Sequence, residues 1–144
     1  MGELPASGGV VVHTVFLDRC LGTSDVANAL QDAGVFVELL DDTPLPQDVS
    51  DVVWLRYATE RGCLALSKDK NIRHRRNELS AVKRSGARLY VLTSGNLGGD
   101  EMGDAFRRAM PRIIKLANER EGPYIAKVFK DGRIALVWPA PKPE

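Results

Sequence analysis

The sequence predicts an α/β protein with a mostly parallel sheet, and three observations carry that prediction. Short apolar, β-branched runs alternate with segments of helical spacing from residue 10 to residue 121. Several of the helical segments close on a glycine (Gly34, Gly62, Gly86), as helices that hand over to a strand do. The last two apolar runs flank an Asp131-Gly132 pair, a strong local signal for a hairpin.

VVVHTVFL (10–17) is continuously apolar, as a strand buried on both faces should be, and it stops at Asp18. TSDVANALQDAG (23–34) has a capping residue at Thr23 or Ser24 and apolar positions Val26, Ala29, Leu30 and Ala33 at helical spacing. VFVELL (35–40) returns to strand character and ends at Asp41 and Asp42, before the proline-bearing loop TPLPQ. SDVVWLRYATERG (50–62) starts a second helix at Ser50 or Asp51, with Val53, Trp54, Tyr57 and Ala58 on one face. CLAL (63–66) is a third strand leading to Asp69, the basic stretch 73–85 a third helix, and ARLYVLT (87–93) a fourth strand. A fourth helix runs through AFRRAMPRIIKLANERE, where Pro111 either kinks it or opens a second piece. YIAKVFKDGRIALVW (124–138) is the hairpin. The expected boundaries are a flexible tail over 1–9, one domain over 10–138 and a proline-rich tail over 139–144. Strand order 2-1-3-4 is expected, with right-handed crossovers and helices on both faces.

The chain's 144 residues suit one domain, and no stretch reaches the roughly 20 apolar residues of a membrane span. MGELPASGG lacks the basic and apolar regions of a secretory signal, so a cytoplasmic protein is expected. Cys20 and Cys63 have no zinc-type spacing, and reduced thiols are the plain expectation. The formal charge of +1 is a cancellation: residues 31–51 hold six acids and no base, whereas 68–88 hold eight bases and two acids. An acidic centre beside a basic surface suits a polyanion cut with metal assistance.

In such a sheet the strand-end acids Asp18, Asp41, Asp42 and Asp69 gather at the carboxyl edge, joined by Asp51 at the start of the second helix. Asp18 and Asp69 then face each other at the topological switch point, where open α/β sheets bind ligands. Crowded carboxylates repel unless a cation compensates, and Mg²⁺ or Mn²⁺ prefers such hard oxygens. A metal there polarises a phosphoryl group and acidifies an attacking water, which makes phosphodiester hydrolysis the natural chemistry. Lys70, Arg73, Arg75 and Arg76 would then neutralise backbone phosphates. Aromatic residues that stack bases are scarce in this segment, so no sequence specificity is expected from it.

Each of these residues has a plainer reading. Asp18 and Asp51 are equally suited to capping, Asp41 and Asp42 to turn chemistry, and Glu78 to pairing an arginine on its own helix. Thr93, Ser94 and Asn96 orient a water or phosphate, or else cap the next helix. His13 and His74 lack the context of a catalytic triad, and Trp54 and Tyr57 read as core.

Together, VFLDRCLG, SDVVWLRYATERG, LALSKDKNIRHRRNE and YVLTSGNLGGDEM resemble the PIN-like nucleases, in particular the compact branch associated with VapC-type toxins. The likeness spans about residues 14–136, and its most specific element is an Asp triple that maps onto Asp18, Asp51 and Asp69. The resemblance implies a PIN-like three-layer sandwich, Mg²⁺- or Mn²⁺-dependent endoribonuclease activity on an RNA substrate, and neutralisation by an antitoxin. Asn71 stands where related domains often carry a further acid, which allows a one-metal site or a weakened nuclease. The hairpin extends the sheet, pairs two copies as a homodimer, or receives the antitoxin. Two rivals stand beside this reading: a phosphoacceptor receiver domain, and a non-catalytic RNA- or protein-binding module of the same fold.

Overall fold

The computed structural model describes residues 13–22, 24–68, 76–93 and 97–139, the side chains of 76–78 excluded. Its elements are β1 (Thr14–Leu17), α1 (Ser24–Asp32), β2 (Phe36–Leu39), α2 (Asp51–Glu60), β3 (Leu64–Ser67), α3 (Arg76–Ser85), β4 (Arg88–Leu92), α4 (Gly99–Glu119), β5 (Tyr124–Val128) and β6 (Ile134–Trp138). They form one sheet in the order β2-β1-β3-β4-β5-β6. Every pairing is parallel except β5 with β6. The expected 2-1-3-4 arrangement and the hairpin are both present.

Strand alternation sorts the core into two layers. Val15 and Leu17 of β1, Leu64 and Leu66 of β3, and Tyr90 and Leu92 of β4 face α1 and α4. Phe16, Ala65, Leu89 and Val91 face the other way, onto Trp54, Leu55 and Ala58 of α2 and Ala81 and Val82 of α3. The inner strands are therefore apolar on both faces, which is why β1, β3 and β4 read as unbroken apolar runs. The result is a helix–sheet–helix sandwich. Among the described residues, no helix is long and apolar enough to cross a membrane.

Two details narrow the expectation. The first arm of the hairpin, β5, also pairs in parallel with β4, so it is a fifth parallel strand. Because a doubly wound 2-1-3-4-5 order belongs to receiver-type folds as well, topology alone does not separate the two readings. Second, α4 is one continuous helix with Pro111 inside it. Pro111 is exposed, so water can serve the Arg107 carbonyl that proline's missing N–H leaves without a helical partner. The helix starts early, at Gly99, where Glu101 Oε1 accepts from the Gly98 N–H at 3.0 Å.

Both cysteines are free thiols. Residues 10–12 of the expected first strand, Thr23 and the two outer tails, apart from Pro139, lie outside the described residues.

Candidate active site at the carboxyl edge

The ladder between β1 and β3 pairs Leu17 with Leu66 and continues one step, the Asp18 N–H donating to the Leu66 carbonyl at 3.0 Å. Asp18 thus sits where the chain, having placed β2 on one side of β1, returns to build the other side. It caps a 3₁₀ turn at Arg19–Leu21, its Oδ1 accepting from the Arg19 N–H at 2.6 Å. Its Oδ2 accepts from the Ser67 hydroxyl at 3.0 Å. Ser67 is fully buried, so this contact costs water access and fixes the carboxylate rotamer in return. The Cys20 thiol lies 3.6 Å from Asp18 Oδ2 and 3.8 Å from Ser67 Oγ. Burial, and then the Asp18 charge, push that thiol's pKa up, so Cys20 stays protonated at neutral pH.

Asp51 opens α2 behind the cap Ser50, whose hydroxyl accepts from the Val53 N–H at 3.4 Å. Its Oδ1 accepts from the Trp54 indole N–H at 2.8 Å. Trp54 in turn stacks on Phe16, with centroids 5.8 Å apart and planes 16° from parallel. Phe16 lies two residues before Asp18, so the two acids are connected through one packed pair of rings. Arg19 adds a second strut: its Nε is 2.6 Å from Asp41 Oδ1, and it also donates to the Gln47 carbonyl at 2.6 Å. The loop that leads into Asp51 is thereby tied to the turn that follows Asp18.

Asp41 is accordingly an ion-pair partner of Arg19, while Asp42 is exposed in the adjoining 3₁₀ turn Leu40–Asp42. Thr93 follows β4, and both its N–H (3.1 Å) and its hydroxyl (3.4 Å) donate to the Val128 carbonyl. Asp69, Lys70, Asn71, Arg73, His74, Arg75, Ser94 and Asn96 lie outside the described residues, as do the side chains of Arg76 and Glu78. Among the described residues no group of three His, Cys, Asp or Glu side chains forms a metal site. In sequence, Asp69 follows Ser67, the last residue of β3, by two positions.

The donor chemistry present fits a hard divalent cation. A carboxylate offers about four lone-pair positions, and Asp18 spends two on firm donors and one on a weak thiol contact. Sequence reasoning missed Ser67, Arg19 and the indole N–H of Trp54. The nearest signals were the positions of Ser67 two residues before Asp69 and of Arg19 directly after Asp18.

A family profile described as "PIN like domain" matches residues 14–94, from β1 through the end of β4. A Mycobacterium tuberculosis protein named "Putative ribonuclease VapC45" is 29% identical over 117 residues, covering 79% of this chain and 84% of that protein. No solved structure matches. The matched span contains Asp18, the Ser67 contact and the opening of α2. The chain belongs to the PIN like domain family.

Proposed function

We propose that the chain is a metal-dependent endoribonuclease, the toxin of a toxin–antitoxin pair acting in the cytoplasm. The observation that carries this reading is Asp18 at the switch point, held by Ser67 and the Arg19 N–H, with Asp51 braced at the same edge through Trp54. Family membership and the printed name of the mycobacterial relative support it.

Asp18, Asp51 and Asp69 would hold one Mg²⁺ or Mn²⁺, with Asp42 as a candidate further carboxylate. When bound, the cation neutralises phosphoryl charge and lowers the pKa of an attacking water. The chain's own residues do the rest. Ser67 and the Arg19 N–H fix the Asp18 carboxylate, and Trp54 fixes Asp51. Lys70, Arg73, Arg75 and Arg76 draw the RNA backbone across the edge by phosphate contacts. Asn96 orients the phosphate, whereas Thr93, whose N–H and hydroxyl both go to the Val128 carbonyl, secures the end of β4. Asn71 in place of an acid favours a single ion.

The test compares purified wild type with Asp69→Asn on single-stranded RNA in Mg²⁺, Mn²⁺ or a chelator. Metal-dependent cleavage that Asp69→Asn abolishes supports the reading. Equal cleavage by both proteins, or cleavage indifferent to the chelator, would refute it.

A further inference from the structure

The turn between β5 and β6 is built onto α4 with little clearance. At Gly132 φ is +94°, and a side-chain carbon there would come within 2.7 Å of Arg108 Cβ. Arg112 donates to the Gly132 carbonyl at 3.3 Å. Beside this seat opens a cleft of about 540 Å³, lined by Glu101, Asp104 and Arg108 of α4 and by Phe129, Lys130, Asp131 and Arg133 of the turn. Its size suits a small organic group. The Arg133 guanidinium lies over the Phe129 ring, 4.9 Å from the centroid, and Asp131 holds it there at 2.9 Å. An aromatic ring and a planar cation are thus fixed together as a stacking surface.

The lining carries both signs. Asp104 pairs with Arg107 and Arg108, Asp131 with Arg133, and Glu101 with Lys130 at 3.9 Å. Three carboxylates make a poor seat for a bare phosphate, whereas acceptors beside donors match the edge of a nucleobase. Position agrees with this. β5 runs parallel to β1, β3 and β4, so its turn opens on the same edge as Asp18. Three inter-strand steps separate β1 from β5, roughly 14 Å at the usual spacing.

We propose that this cleft takes a nucleobase of the RNA strand, stacked on the Phe129–Arg133 pair and read at its edge by Glu101, Asp104 and Arg108. The inference rests on the ribonuclease reading and adds to it a base-binding subsite away from the scissile phosphate. It supplies from the hairpin the aromatic contact that the basic stretch 68–88 lacks.

The experiment is a cycle of binding measurements by fluorescence anisotropy, in an Asp18→Asn background that leaves RNA uncut. Labelled single-stranded RNAs, intact or with one abasic position moved along the strand, are titrated with protein carrying Phe129 or Phe129→Ala. Stacking of this kind gives about a tenfold or greater loss of affinity for Phe129→Ala, and Phe129→Trp retains binding. An abasic site at one position should cost a similar factor, and the two losses should not add. Additive losses, or a Phe129→Ala protein that binds like its parent, overturn the subsite. Arg133→Ala serves in the same cycle should Phe129→Ala fail to fold. If wild type cleaves RNA while Phe129→Ala changes neither affinity nor cleavage pattern, only the subsite falls. If wild type neither binds nor cleaves any RNA, the ribonuclease reading falls with it.

Discussion

Asp18 derives its orientation from Ser67, a buried hydroxyl 49 residues further along the chain. Removing that hydroxyl leaves the carboxylate held firmly only through Oδ1 by the Arg19 N–H, so Ser67→Ala is expected to lower metal affinity or cleavage by about 10–100-fold without unfolding the protein. Circular dichroism and a cleavage assay check the two halves of that statement. Trp54→Phe retains a ring against Phe16 but deletes the N–H that reaches Asp51, together with part of the buried indole volume. A comparable loss of activity with a native-like spectrum is expected, and unchanged activity would show that Asp51 needs no such brace. Cys63 tests the core through pH. Burial and then the Glu38 charge push its thiol up to about 11, against roughly 8.5 in an unfolded chain. Its contribution is therefore complete below about pH 8.5 and is lost as pH rises toward about 11. Thermal melts between pH 8 and 10 should fall less steeply for Cys63→Ala than for wild type. At this scale the sequence revealed which acids lie at element ends, because strand-stop aspartates are local features. It did not reveal their partners: Arg19 with Asp41, Ser67 with Asp18 and Trp54 with Asp51 depend on where the sheet order and helix face bring side chains.

The elements themselves were far more legible. Strands β1 to β4 follow from apolar runs, and α1, α2 and α3 are followed within two residues by Gly34, Gly62 and Gly86, each with positive φ. Asp131-Gly132 marked the hairpin correctly, but its docking on α4 through Gly132 and Arg112 had no local signature. Nor did the close crossing of α1 and α4. There, a side-chain carbon on Gly103 would meet the Asp25 carbonyl at 2.9 Å and Ala29 Cβ at 3.0 Å. Gly103→Ala should accordingly force the two helices apart and cost about 1–3 kcal/mol, despite alanine's better helix propensity. Denaturant unfolding measures it, and a neutral or stabilising result would show that the crossing yields easily.

Across the whole molecule, the sheet divides labour by edge and by strand. β1 and β3 carry Asp18 and Ser67, α2 brings Asp51 to the same edge, and the β5–β6 turn closes a cleft three strands away. The sequence already showed acids and bases segregated along the chain, and among the described residues the parallel sheet brings Asp18, the Asp41–Asp42 turn and Asp51 to one edge. The proposed function depends on a single divalent ion shared by Asp18, Asp51 and Asp69. Calorimetric titration of Mn²⁺ into wild type, Asp18→Asn and Asp69→Asn tests this without reference to catalysis. The account predicts one site in wild type that either substitution removes or weakens at least tenfold. Equal Mn²⁺ binding by all three proteins would contradict it.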